Sequence, residues 1–236
     1  MKNTTANKTA TEQYEYDARI LVRTIAIMCI YVLSWNVQTF IYMHYDLALD
    51  STFLFLFFAI MATIYFATNP RPELSRFGIT KKFFLSSIMQ SIVWTIAFCA
   101  LATGAAYLLA SQPFHFSLHI DPKRYTSMLI YLPFSFVQEF IIRGVLQTTL
   151  YNIYKKQYLF LAILVSNLIF ACAHVTFFGL THALLTIIPG IMWGYMYYKK
   201  PNLAGVTLSH TLIGIYVFDI LNFQFIPTEY CIYSLI

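Results

Sequence analysis

The chain has 236 residues, of which 59% are hydrophobic and 18% aromatic while only 11% are charged. So little charge over so much apolar surface excludes an ordinary soluble domain, and a polytopic membrane protein is expected instead. The formal net charge of +5 is no nucleic-acid footprint, because the basic residues fall almost entirely between apolar spans, where they set topology.

Residues 1–19 carry no apolar period and are expected to form a disordered cytoplasmic tail. A single transmembrane domain, residues 20–223, follows as an all-α helix bundle of about seven spans: Ile20 to Met43, Ser51 to Thr68, Phe83 to Ala110, Tyr125 to Tyr154, Tyr158 to Phe178, Thr181 to Tyr198 and Asn202 to Phe223. Continuous apolar runs exclude barrel strands, which would alternate. The first span is too long for a signal-peptide core and is expected to stay as an anchor. Residues 224–236 form a short C-terminal tail. Small residues at Ala100 and Gly104, and at Gly190 and Gly194 just after Pro189, mark expected close helix contacts. Cys29, Cys99, Cys172 and Cys231 are spaced neither as a disulfide framework nor as a zinc knuckle.

Charge placement orients the bundle. Lys2, Lys8, Arg19, Arg71, Arg76, Lys81, Lys82, Lys155, Lys156, Lys199 and Lys200 fall on one side under strict alternation, against only Lys123 and Arg124 on the other. The positive-inside rule then puts the N-terminus in the cytoplasm of a multi-pass plasma (inner) membrane protein.

The polar residues inside the spans are few. Glu139 and Arg143 are four residues apart in the fourth span, hence on one helical face and able to pair. Ionisable groups at such depth face a protein interior or a wet cavity. His174 lies in the fifth span and His210 in the seventh; Asp219 sits near the outer end of the last. Glu139 is sixteen residues from Lys155 and His174 eighteen from Lys156, roughly 24 and 27 Å along a helix. His210 is only ten from Lys200, roughly 15 Å, and so is shallower by up to two turns. His182 belongs at the interface or across a short turn from His174, and Trp35, Trp94 and Trp193 read as lipid or packing aromatics.

A carboxylate and two imidazoles in a dry cavity have two natural chemistries. The carboxylate can take a proton from water while the imidazoles hold the oxyanion, or all three can ligate zinc. No H-E-x-x-H occurs, and the metal-free chemistry is favoured. Equally, Glu139 and Arg143 can be a buried ion pair that fixes helix packing.

Glu139 with Arg143 and Gly144, then Phe170 with His174, then His210, in that order on the fourth, fifth and seventh spans, resemble the three motifs Glu-Glu-x-x-x-Arg, Phe-x-x-x-His and His-x-x-x-Asn of the CAAX protease and bacteriocin-processing family of intramembrane glutamate-dependent endopeptidases. The resemblance covers residues 125–223. It implies hydrolysis of a membrane-associated peptide or protein near its C-terminus, with Glu139, His174, His210 and Arg143 in the catalytic site and Gln138 and Phe170 supporting it. It brings in no cofactor and no nucleic acid, only the substrate and the bilayer. Gln138 stands where the family has its first glutamate, and Gly214 where it has asparagine. An amide takes no proton from water, and Glu139 is turned about 100° from its neighbour on a helix. Either Glu139 has taken over the role of base, or the chain is a membrane partner or bacteriocin-immunity protein that binds without cutting.

Overall fold

The computed structural model describes residues 2–45, 74–109, 122–154, 157–217 and 221, and every regular element among them is helical. The expected second span, Ser51 to Thr68, lies outside the described residues, as do Lys155, Lys156, Asp219 and the tail 224–236. Six α-helices are described: α1 (Lys2–Tyr45), α2 (Phe84–Leu109), α3 (Pro122–Glu139), α4 (Thr148–Ile153), α5 (Leu159–Lys199) and α6 (Leu203–Ile215). A 3-10 turn, Leu74–Phe77, precedes α2, and a π-helical segment, Phe140–Gln147, joins α3 to α4.

The segment 1–19, expected to be disordered, is instead helical from Lys2. Its far end is tied down by tertiary contacts. Asp17 is buried and pairs with Arg76 of the 3-10 turn, and the Arg76 guanidinium lies 5.6 Å over the Tyr16 ring. One turn on, Ile20 packs with Phe77 and Val145 in a small buried cluster. Polarity alone therefore misreads this stretch, because its order comes from partners distant in sequence.

Among the described residues, one helix is long and apolar enough to cross a membrane, Phe84–Leu108 in α2, with a mean hydropathy of 1.7. Its burial pattern is inverted relative to a soluble helix. Leu85, Met89, Val93 and Ile96 are exposed, whereas Ser87, Ser91 and Thr95, each four residues apart, are buried. In water this face would be costly; in lipid, small polar residues are what bring helices together. The stripe meets α6, where Thr95 donates to Ser209 Oγ at 2.8 Å. A Cβ at Gly205 would lie 2.5 Å from the Ser87 carbonyl oxygen, so only glycine allows this approach.

Helix α5 is two arms. Gly179 has φ 80° and ψ 172°, outside any helical region, and the chain reverses there. His174 stacks on His182, Asn167 donates to the Ile187 carbonyl at 2.8 Å, and Ile163 abuts Gly194. As residue numbers fall on one side they rise on the other, which is an antiparallel hairpin. The expected fifth and sixth spans are its arms. Gly190 faces the Asn167 amide so closely that no Cβ fits. Gly190 and Gly194 thus make the close contacts expected of them. At Gly104 no described residue lies within 4 Å of the Cβ position.

Helix α6 starts at a cap that also fixes its place. Asn202 is extended (φ −147°, ψ 128°), and its Oδ1 accepts from the Ala204 N–H at 2.9 Å. Its Nδ2 donates to the carbonyls of Thr80 at 2.6 Å and Lys82 at 2.9 Å, tying α6 to the entry of α2.

Gly205→Ala should therefore force α6 away from α2 and lower stability by about 1–3 kcal/mol, whereas Gly104→Ala should be neutral or stabilising by up to about 1 kcal/mol. Thermal unfolding of the two variants in detergent distinguishes them.

Candidate active site

Glu139 is the last residue of α3, and the π-helical segment begins directly after it. A π turn is wider than an α turn and recurs at functional sites. Just beyond it, Thr148 Oγ1 at the start of α4 donates back to the Arg143 carbonyl at 3.2 Å. The bare Gly144 lets the Phe77 carbonyl press against the helix, since a Cβ there would lie 2.8 Å from that oxygen. Arg143 and Glu139 are both 0% exposed as a result.

The expected pairing is present. Arg143 Nε donates to Glu139 Oε2 at 3.3 Å, and the other carboxylate oxygen, Oε1, accepts from His210 Nδ1 at 2.8 Å. Glu139 is thus held from two sides, by its own helical run and by α6. The apparent depth gap between Glu139 and His210 closes for two reasons. The extended residues before α6 advance the chain farther per residue than a helix does, and the π segment between Glu139 and Lys155 advances it less.

His210 is boxed by aromatic rings. Trp193 stacks on it at 4.3 Å and 16°, and its indole N–H donates to Ser209 Oγ at 3.0 Å. Phe170 and Tyr131 meet it edge to face, at 5.8 and 6.0 Å. Phe170 also lies 5.9 Å from the Arg143 guanidinium carbon and 4.2 Å from the His174 ring. It is therefore the hub between the carboxylate cluster and the second imidazole. His174 Nδ1 bonds its own helix, donating to the Phe170 carbonyl at 2.9 Å, and the ring stacks on His182 at 5.7 Å and 14°. His182, one of the two placements open from the sequence, is buried beside His174.

These bonds constrain the histidines chemically. A carbonyl oxygen only accepts, and so does a carboxylate paired with an arginine, so the proton sits on Nδ1 in both rings. In its neutral form each imidazole then has Nε2 as its acceptor. That form can take up a proton, whereas the oxyanion donor expected of the histidines is the protonated ring. Among the described residues no three His, Cys, Asp or Glu side chains are grouped so as to hold a metal ion.

Several members of this cluster carry no motif signal. Asn167 Oδ1 faces Arg143 Nη2 at 3.5 Å, a long contact. Trp193, read from the sequence as a packing aromatic, does pack, but its partner is His210. Ser135 and Tyr131 precede Glu139 by one and two turns, and that spacing is the only signal that places them on its face. Ser135 Oγ, Gln138 Oε1 and Arg143 Nη1 are buried without a hydrogen-bond partner among the described residues. Gly214 is bare because the Tyr131 ring occupies the space of its side chain, with Cε1 2.5 Å from the Cβ position.

No curated protein and no solved structure matches the chain. A family model does: that of the Rce1-like family, described as type II CAAX prenyl endopeptidase Rce1-like, matches residues 123–216. The matched stretch holds Glu139, Arg143, Phe170, His174 and His210 and leaves α1 and α2 outside it. Residues 123–216 are thus similar to the Rce1-like family, over the same stretch that carries the three motifs.

Proposed function

We propose that this protein is a multi-pass endopeptidase of the plasma membrane, crossing it seven times from a cytoplasmic N-terminus and cleaving a membrane-associated peptide or protein near its C-terminus. The observation that carries the reading is the buried carboxylate of Glu139, bonded to His210 across two helices inside the Rce1-like segment. In this account Arg143 holds the Glu139 carboxylate in place, and Glu139 holds His210 with its proton on Nδ1. His210 Nε2 takes a proton from water as the water oxygen attacks the scissile carbonyl carbon. The imidazolium, stabilised by the adjacent carboxylate, returns that proton to the amine nitrogen as the C–N bond breaks. His174, with its acceptor at Nε2, orients the water from the other side of Phe170. The CAAX prenyl class of the family points to substrates with a lipid-modified cysteine near the C-terminus.

In proteoliposomes with quenched peptides carrying such a cysteine, with and without a prenyl group, wild-type protein should release product. Glu139→Gln and His210→Ala should each lose about 10³–10⁴-fold in kcat, and His174→Ala at least about 10²-fold, at unchanged membrane abundance. Full cleavage by Glu139→Gln overturns the assignment.

A second reading, a non-catalytic membrane partner or immunity protein, is favoured by one fact: both oxygens of Glu139 are already bonded, as in a purely structural ion pair. Under either reading Arg143→Met should cost about 3–5 kcal/mol by leaving the carboxylate unpaired, and Glu139→Leu with Arg143→Met should recover most of it. The folded double variant separates the readings. A protease loses its biological activity in that variant, and a structural partner keeps it.

A further inference from the structure

The stretch similar to the Rce1-like family begins at residue 123, yet the contacts that seat its polar cluster reach back to a turn well ahead of it. The 3-10 turn Leu74–Phe77, with the Gly78 that follows, touches both elements that supply the Glu139–His210 pair. On one side the Phe77 carbonyl presses on bare Gly144, next to Arg143, and the Phe77 ring meets Phe140, next to Glu139, edge to face at 6.3 Å. On the other side the Gly78 carbonyl accepts at 3.0 Å from the N–H of Leu203, the first residue of α6. Gly78 has φ 85°, and a Cβ there would lie 2.7 Å from the Tyr197 ring, so only glycine makes this second contact. A shift of the turn therefore shifts the Glu139 run and the His210 helix relative to each other.

What holds the turn comes from α1. Phe77 is buried with Ile20 and Val145, but apolar burial is non-directional and fixes no register by itself. The directional bond is at Arg76, whose guanidinium pairs with the Asp17 carboxylate and lies over the rings of Tyr16 and Phe77 at 5.6 and 5.9 Å. Asp17 is only 2% exposed, although residues 11–15 and Arg19 of the same helix are exposed. A carboxylate so buried is costly unless paired, and the pairing fixes where Arg76 can sit.

We infer that Asp17 and Arg76 are positioning residues for the proposed hydrolysis: through this ion pair α1 holds the 3-10 turn at the place that lets Glu139 Oε1 meet His210 Nδ1 at 2.8 Å. The inference rests on the protease reading and deepens it, by making a helix outside the family-like stretch a working part of the site. Both residues lie outside the cluster around Glu139 and act through the turn. A displacement of about 1 Å at the reacting groups, caused by a change far from them, can cost about 10²-fold in rate. The loss falls on kcat, because it is the acid and the imidazole that move.

Steady-state cleavage of the quenched lipidated peptides by the full chain in proteoliposomes, well below its melting temperature, tests this. Asp17→Ala and Arg76→Gln should each lower kcat by about 10–10²-fold and leave KM near its wild-type value. Asp17→Asn, the isosteric change and the one least able to disturb folding, should show a smaller loss of the same kind, and Asp17→Glu should recover most of the rate. Glu15→Gln, which removes an ion pair to Arg19 on the exposed side of the same helix, should change nothing. Gly144→Ala, whose Cβ displaces the Phe77 carbonyl, should lower kcat, and Asp17→Ala added to it should cost little more. Losses that multiply in that double variant would mean that the ion pair does not act through the turn, and would overturn the inference. A lowered melting temperature with wild-type kcat in Asp17→Ala, Asp17→Asn and Arg76→Gln, as a purely stabilising role requires, overturns it too and leaves the protease reading in place. Absence of cleavage by the wild-type protein itself overturns both.

Discussion

A carboxylate and a guanidinium with no exposure to solvent are the most demanding groups in this structure, and the arrangement around them follows from that demand. Removing each ion from water costs several kcal/mol, and attraction between the two offsets this only if their remaining bonding capacity is also used. Glu139 uses both oxygens, one on Arg143 and one on His210. Arg143 has the face of Phe170 and the long contact to Asn167, while its Nη1 has no hydrogen-bond partner among the described residues. The pair therefore joins the α3 run, the α5 hairpin and α6, because each contributes a group that the buried charges need. The same demand explains why a wide π turn sits here. It lets Arg143 point inward beside Glu139 while Gly144 brings the 3-10 turn down over it.

Close helix approach supplies the rest. In the α2–α6 seam, and again at Gly190 and Gly194, a glycine or a small polar residue lets two backbones come together, while large apolar side chains point outward. That inversion suits a lipid surroundings and makes helix association depend on fit and on buried hydrogen bonds. It also makes the site rigid. His210 is held by a carboxylate at one nitrogen, an indole on its face and rings at two edges, so its tautomer and orientation are set before any substrate arrives.

Much of this was legible in the sequence, and the misses share a cause. Helicity followed from apolar run length, the Glu139–Arg143 pair from four-residue spacing, and the Gly190–Gly194 contact from small residues in an apolar helix. Local polarity failed for residues 1–19, whose helix is held by Asp17 and Ile20 against residues far along the chain. Burial of His182 beside His174, the seating of Tyr131 over Gly214, and the donor direction of both histidines depend on which helix faces which, and spacing within one helix does not encode that. Gly214 reads from the sequence as the loss of a polar group, whereas in three dimensions it is the space that another polar group fills.

The account stands on the contact between Glu139 and His210. A double-mutant cycle on these two positions, read as unfolding free energy in lipid bicelles with Glu139→Gln, His210→Phe and the combined variant, tests it most directly. The account predicts a coupling of about 1–3 kcal/mol between the two substitutions. Additivity to within about 0.3 kcal/mol would mean that carboxylate and imidazole do not meet, and the site built around them would not exist.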